Sequence, residues 1–175
     1  MASGDPKGPF SFRSATDSDV DAMVAIEREV YGPTAWSRET VRRELVNPHT
    51  NYIVAEAADI AGYGGVLVSP DGHRADIQTI TIVESWRRRG LGRLLATKLL
   101  SRAEAHGARE VFLEVRDDNP RAHVLYRSLG FDRVGVHHDF SAVVEGATVV
   151  VMRRSVGAAA NATPHPRLPG SRGVA

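Results

Sequence analysis

Three residues in the second half of the chain have side chains suited to catalysis or ligand binding: Glu114, Asn119 and Tyr126. Glu114 lies between two apolar residues, which predicts a strand on which its carboxylate faces the side opposite to both neighbours. A partly desolvated carboxylate near the end of a strand can act as a general base, although pairing with Arg116 or with a neighbouring strand is the more frequent use. Asn119 could cap a helix or bind a ligand through its amide. Tyr126 could be an aromatic at the edge of the core, whose hydroxyl needs a partner if it is buried.

A second feature lies upstream, where residues 78–93 join a strand rich in Ile and Thr to three arginines and a glycine-containing helix start. Gly90 and Gly92 at the start of a helix predict N–H groups that point outward without partners. The helix dipole adds partial positive charge there, so the place suits an anion such as a phosphate. Glycine also lets a phosphate approach the main chain closely. The alternative is a solvated basic loop before an ordinary amphipathic helix.

The elements that position these residues alternate between strands and helices. Strands are predicted at about 10–14, 52–56, 60–68, 77–82, 111–115, 134–136 and 148–152. Helices are predicted from about 17 to 31, 37 to 45, 90 to 107 and 118 to 130, because capping residues precede apolar stripes that end at Gly or Pro. Three glycines at 62, 64 and 65 predict a bulge or a close backbone contact. This order predicts an α/β sandwich, with a mixed central sheet and helices on both faces.

The bulk composition limits the function classes. The chain has 175 residues, of which 42% are hydrophobic and 25% charged, and this suits one domain with a core of its own. We expect that domain at 9–155, between a flexible N-terminus at 1–8 and a disordered tail at 156–175. The net charge of +1 gives no support to nucleic-acid or membrane binding. The absence of cysteine excludes disulfides, thiolate metal sites and a cysteine nucleophile. With neither a signal peptide nor a membrane span in the sequence, a cytoplasmic protein is expected.

Three segments follow one another in the sequence. The glycine loop reads Arg87-Arg88-Arg89-Gly90-Leu91-Gly92, and the strand with its carboxylate reads Leu113-Glu114-Val115-Arg116, followed by Asn119. The helix with its tyrosine reads Leu125-Tyr126-Arg127-Ser128-Leu129-Gly130-Phe131. In this order and spacing they resemble the GNAT family of acetyl-CoA-dependent N-acetyltransferases. Within that family they are most similar to the bacterial ribosomal-protein-alanine N-acetyltransferases, the RimI type. The resemblance covers roughly residues 10–153, and Trp36-Ser37 also matches a segment that helps to form the acceptor slot in that branch.

The resemblance implies a GNAT-like three-layer sandwich and a role for each matching residue. Glu114 would be the general base and Tyr126 the general acid. The strand end would offer main-chain groups to the pantetheine arm of acetyl-CoA, and the loop N–H groups would hold its pyrophosphate, with Asn119 also touching the cofactor. The implied cofactor-binding residues are Ile80, Thr81, Ile82, Arg87, Arg88, Arg89, Gly90, Leu91, Gly92, Arg93 and Asn119. No metal is implied. The acceptor would be a protein or peptide N-terminus, such as that of a ribosomal protein.

Ordinary pKa values agree with these roles. A protein α-amine has a pKa of about 7.7–8.0, so roughly a tenth to a fifth of it is neutral at pH 7, against about one part in 2,500 for a lysine amine. An α-amine therefore needs only modest help from a carboxylate that acts directly or through water. An ordinary tyrosine has a pKa of about 10 and a thiol one of about 8.5, so Tyr126 would be a weak proton donor to the thiolate. It would act chiefly by donating a hydrogen bond to the charge that develops on sulfur.

One departure from the family pattern concerns the acceptor. Where the RimI type usually carries an Arg-Arg-x-Tyr-Tyr run, this chain has His137-His138-Asp139-Phe140-Ser141. Neighbouring histidines on a strand face opposite sides, which argues against a shared metal site. Acceptor specificity is expected to depend on residues 31–37 and 137–141. An acetyltransferase for lysine or for a small-molecule amine remains an alternative, and so does a non-catalytic acyl-CoA-binding subunit, although the presence of Glu114 and Tyr126 argues against the latter.

Overall fold

A seven-stranded mixed sheet in the order β1-β2-β3-β4-β5-β7-β6 organises the described part of the chain. The computed structural model describes residues 9–139 and 147–156. The strands are β1 Ser11–Ser14, β2 Thr50–Glu56, β3 Ile60–Val68, β4 Arg74–Ile82, β5 Glu110–Arg116, β6 Asp132–Asp139 and β7 Ala147–Ser155. The helices are α1 Val20–Tyr31, α2 Arg38–Val46, α3 Leu91–Ala105 and α4 Pro120–Ser128. Short 3-10 turns lie at Asp17–Asp19, Gly32–Thr34 and Glu84–Trp86.

Helices cover both faces of this sheet. On one face, α3 and α4 pack on the central strands, and Leu95 and Leu99 of α3 are completely buried there. On the other face, α1 and α2 form a smaller core in which Met23 and Val41 pack against Tyr52 and Tyr63. Burying one apolar stripe of each helix against a sheet is the main source of stability in such layers. The predicted three-layer sandwich is confirmed.

Local signals set most of the helix boundaries. The Ser37 side chain accepts a hydrogen bond from the Thr40 N–H at 3.1 Å, which is the predicted N-cap of α2. Gly107, with φ of 90°, follows the end of α3 as predicted. Gly130, with φ of 85°, follows α4, and Phe131 packs back on Tyr126 with ring centroids 5.9 Å apart.

Gly65 of β3 lies against a tyrosine ring and opposite a bulge that belongs to β4, whereas the sequence suggested a bulge or a close backbone contact in β3 itself. A Cβ on Gly65 would lie 2.4 Å from the Tyr52 ring, so the ring occupies the space that a side chain would need. The register between β3 and β4 shifts between Gly65 and Val66, because Gly65 pairs with Thr79 while Val66 pairs with Ile77. Gln78 is therefore the extra residue of a β-bulge in β4. Its side chain accepts from the Tyr52 hydroxyl at 3.1 Å and donates to Glu44 at 3.2 Å.

Several boundaries differ from the prediction. β4 begins at Arg74, three residues before the predicted start, and β6 and β7 have eight and nine residues where three and five were predicted. Pairing with β7 extends β6 through Gly135 and two histidines, residues whose own preference for strands is weak. The first helix is preceded by a 3-10 turn, and α1 itself begins at Val20. Val156, predicted to begin the tail, is buried, and its N–H donates to the Arg109 carbonyl. The expected flexible segments at 1–8 and 157–175 lie outside the described residues.

Candidate active site

A cleft opens where β4 and β5 separate. The two strands are paired in parallel only from Arg74 and Glu110 to Ile77 and Leu113. Beyond that point β4 follows β3 as far as Ile82, while β5 follows β7. The bulge at Gln78 lies at this divergence, and a bulge bends its strand and increases the local twist. Backbone groups on the facing edges of the two strands are thus available to an extended ligand.

The predicted anion loop lies at the end of β4. Gly90 is the N-cap of α3 with φ of 80°, and Arg88 also has a positive φ, of 61°. The first backbone bond within the helix runs from the Leu94 N–H to the Gly90 carbonyl, so the three preceding N–H groups have no helical partner. A Cβ on Gly92 would lie 3.3 Å from Cδ1 of Ile82, which sets the helix start directly against the strand end. The loop therefore has the geometry of an anion site.

The arginines of this loop are exposed, and three of them make specific contacts. Arg87 Nε donates to the Ile82 carbonyl at 3.1 Å, Arg89 stacks over the Trp86 ring at 4.8 Å, and Arg93 donates to the Ser128 hydroxyl of α4 at 2.6 Å. These contacts fix the loop between β4 and α4 while the guanidinium groups keep positive charge close to the helix start. The Ile82 carbonyl is thus already used by Arg87.

The other predicted strand residues differ in what they present. The side chains of Ile80 and Leu91 are buried in the core, which leaves only their backbones for a ligand. The Thr81 hydroxyl is hydrogen-bonded to the hydroxyls of Tyr31 and Thr79, both at 3.0 Å. This arrangement joins the end of β4 to the end of α1, where the segment at 31–37 begins, which we expect to influence acceptor choice.

Glu114 faces away from the main core, as the alternation in β5 predicts. Its neighbours Leu113 and Val115 are buried on the side of α3. The Glu114 side chain is 12% exposed, and its Oε1 lies 3.0 Å from Nε2 of His137 on β6. Arg116 bonds Asp118 instead, with Nε at 2.9 Å from Oδ1. The observed contact reaches β6, which β7 separates from β5, where the sequence suggested Arg116 or a neighbouring strand.

Tyr126 is almost fully buried in α4. Its burial, and to a smaller extent the nearby Tyr31, raises the pKa of the Tyr126 hydroxyl above the ordinary value of a tyrosine. The hydroxyl therefore stays protonated throughout the neutral pH range and can act as a hydrogen-bond donor.

Asn119 caps α4, which is the structural role predicted for it. Its Oδ1 accepts from the Ala122 N–H at 3.2 Å, and Pro120 follows as the first helical residue. The cap uses only the side-chain oxygen, so the amide nitrogen is the group through which this residue could bind a ligand.

One part of the site was missed from the sequence. Glu27 of α1 is completely buried, where it accepts hydrogen bonds from the Tyr63 hydroxyl and, at 2.8 Å, from the Trp36 N–H. Burial is the main cause of the raised pKa of Tyr63, and the Glu27 carboxylate adds to it. Glu27 lies four residues after Met23 on the apolar stripe of α1, so its position on the buried face was the available signal. Through Glu27, the segment at 32–37 is held to β3.

The described residues, 9–139 and 147–156, contain no group of three or more His, Asp or Glu side chains that could hold a metal ion. Within the same ranges no helix is long and apolar enough to cross a membrane. Phe140 and Ser141, two of the residues expected to influence acceptor choice, lie outside the described residues.

Comparisons with known proteins agree with this geometry. A model of the acetyltransferase (GNAT) family matches residues 20–131. The chain is 33% identical to "N-alpha-acetyltransferase RimI" of Mycobacterium tuberculosis, over 85% of this chain and 94% of that protein. It is 35% identical to an uncharacterized protein of Mycobacterium leprae over 83% of this chain, although the matched part is only 41% of that longer protein.

Solved structures show the same fold. The crystal structure of the ribosomal-protein-S18-alanine N-acetyltransferase from Escherichia coli superposes with a TM-score of 0.76 at 23% identity, covering 89% of this chain and 99% of that one. Arabidopsis thaliana NAA60 in complex with acetyl-CoA superposes with a TM-score of 0.74 at 18% identity, covering 84% of this chain and 98% of that one.

Proposed function

This chain belongs to the GNAT family of acetyltransferases, which use acetyl-CoA as the acetyl donor, and on that premise we propose that it acetylates the α-amine of a protein N-terminus. The observation that carries the proposal is the 33% identity to an N-alpha-acetyltransferase over 94% of that relative's length. The solved E. coli relative acts on a ribosomal protein, which makes a ribosomal N-terminus the first acceptor to test.

Acetyl-CoA fits the residues that surround the cleft. The partnerless N–H groups of Leu91, Gly92 and Arg93 and the exposed arginines of the loop suit its pyrophosphate. The edge of β4 that β5 leaves after Ile77 suits an extended pantetheine arm, and the amide nitrogen of Asn119 is a further donor. In this position acetyl-CoA supplies a reactive thioester.

Glu114 is the proposed general base. The acceptor ammonium must lose a proton before its nitrogen can attack, and an α-amine with a pKa of about 7.7–8.0 is already partly neutral at pH 7. A carboxylate that is mostly shielded from water and faces away from the main core is suited to take up that proton directly or through a water molecule.

Tyr126 is the proposed partner of the leaving sulfur. Complete proton transfer from an ordinary tyrosine to a thiolate with a pKa of about 8.5 is uphill by about 2 kcal/mol, and the raised pKa of the buried hydroxyl makes it more so. Its contribution is therefore a hydrogen bond, fixed in place before the reaction, to the negative charge that develops on sulfur.

The experiment compares two peptides of the same sequence in the presence of acetyl-CoA, and follows the release of free thiol. One peptide has a free N-terminus, and the other is blocked at its α-amine but carries a lysine. We expect thiol release with the first peptide and none above background with the second. Equal thiol release from the two peptides would replace the α-amine with the lysine side chain, which both peptides contain, as the acceptor. The chain's departure from the family's tyrosine pair at residues 140 and 141 is the specific reason to keep this second candidate.

A further inference from the structure

The contact between Glu114 and His137 crosses an intervening strand. β7 lies between β5 and β6, and one row of the sheet contains Glu114, Val151 and Gly135. Gly135 carries no side chain, and a Cβ placed on it would have no heavy atom within 4 Å. This open space lets the imidazole, which starts from the next position on the same side of β6, extend over β7 to the carboxylate.

The two side chains are not equally accessible. His137 exposes 34% of its side chain and Glu114 only 12%. In the neutral state, a ring nitrogen 3.0 Å from a carboxylate oxygen carries the hydrogen, because two acceptors would repel each other. Nε2 is thus the donor to Glu114, and the lone pair of the neutral ring is on Nδ1.

We propose that His137 is a catalytic residue whose Nδ1 accepts the proton of the acceptor amine, while the Glu114 carboxylate holds the ring in the required tautomer. The inference rests on the proposed function, and it refines the base from a carboxylate alone to a carboxylate–imidazole pair. As the amine nitrogen bonds to the acetyl carbon, the carbon–sulfur bond breaks and leaves its electron pair on sulfur. Nδ1 takes one proton from the acceptor ammonium before the nitrogen attacks, so the pair changes from a carboxylate with a neutral imidazole to a carboxylate with an imidazolium. The second proton, which the nitrogen loses as the amide forms, goes to the leaving sulfur, and coenzyme A leaves as a thiol.

Two properties of the pair favour this assignment. The pKa of an imidazole is ordinarily closer to that of an α-amine than the pKa of a carboxylate is, by about two units. The carboxylate also compensates the charge of the imidazolium that forms, as a buried carboxylate does in other histidine-based sites.

A further ion pair lies in the row of the sheet next to Glu114. The adjacent row contains Arg116, Val149 and His137, so Arg116 is the nearest cation on β5 in the pairing register. Its guanidinium makes two hydrogen bonds with Asp118, at 2.9 and 2.5 Å. The Glu114 carboxylate lies 3.0 Å from the imidazole and is thus in direct contact with it.

The test is the pH dependence of kcat/KM for a peptide with a free N-terminus. We compare the unaltered protein with His137→Gln, and with His49→Gln as a control at an exposed histidine distant from the cleft. Loss of the base matters most where the amine is protonated. We therefore expect His137→Gln to lower kcat/KM more at pH 7 than at pH 9.5. The two factors should differ by roughly five- to tenfold, which is the ratio of the neutral fractions of the α-amine at the two pH values. His49→Gln should behave as the unaltered protein.

A second variant tests the chemistry directly. In His137→Ala, free imidazole added to the buffer should restore part of the activity at pH 7, and coenzyme A should bind as tightly as it does to the unaltered protein. A loss in His137→Gln that is the same at both pH values, together with no rescue by imidazole, would overturn the inference and leave the proposed function standing. If the unaltered protein releases no thiol with any free N-terminus, the proposed function is wrong and the inference falls with it.

Discussion

Replacing Gly90 by Ala tests the anion loop in isolation. Gly90 has φ of 80°, and no heavy atom lies within 4 Å of the position that a Cβ would occupy. The substitution therefore introduces backbone strain without a steric clash. The left-handed conformation costs an L-residue about 1–2 kcal/mol. The loop of the free variant can relieve this strain by leaving its conformation, and coenzyme A must then restore it in order to bind.

That free energy is lost from binding, which corresponds to a five- to thirtyfold increase in the Kd for coenzyme A. Titration calorimetry of the unaltered protein and of Gly90→Ala measures the change. Gly107→Ala is the matched control, because Gly107 has φ of 90° at the opposite end of the same helix and the nearest atom to its Cβ position is 3.6 Å away. We expect Gly107→Ala to lower the free energy of unfolding by a similar amount and to leave the Kd unchanged. Equal Kd values for Gly90→Ala and the unaltered protein would refute the assignment of the loop. An increase in the Kd for coenzyme A in Gly107→Ala as large as that in Gly90→Ala would refute it as well.

Three further predictions concern other parts of the molecule. Glu114→Gln and Tyr126→Phe should each lower kcat, by about 10²-fold or more for the base, with little change in the Kd for coenzyme A; full activity in both would contradict their assignment. The Asp19 carboxylate has its pKa lowered from 3.8 to about 2, chiefly by its hydrogen bonds with Arg13, so it stabilises the fold above pH 4 and this stabilisation is lost as the pH falls from about 4 to 2. Asp19→Asn should lower the free energy of unfolding by about 1–2 kcal/mol at pH 7 and by much less at pH 2, and urea titrations at the two pH values would decide. Glu27→Ala should raise KM for the peptide while the Kd for coenzyme A stays the same, because it releases the segment at 32–37, which we expect to contact the acceptor; steady-state kinetics with varied peptide would show an unchanged KM if this is wrong.

The features that sequence reasoning located correctly depend on local pattern. Gly90 before an apolar stripe predicted the start of α3, and the alternation around Glu114 predicted which face of β5 its carboxylate occupies. Both signals act over a few residues, because backbone conformation and strand alternation are set by neighbours in sequence.

The features that the sequence did not predict depend on pairing between distant segments. The bulge at Gln78 exists because β4 gains one residue relative to β3, which nothing in the β4 sequence alone requires. The contact between Glu114 and His137 spans 23 residues and crosses a third strand, so it follows only from the strand order. Likewise, the polar groups that hold Glu27 come from other elements of the fold.

The central claim is that the acetyl group goes to an N-terminal α-amine. The most direct measurement is fragmentation mass spectrometry of a peptide that carries both a free N-terminus and an internal lysine, after incubation with the protein and acetyl-CoA. We predict a single added acetyl group, located on the N-terminal residue and strongly reduced with Glu114→Gln. Acetylation of the lysine alone, or of both amines to the same extent, would contradict the account.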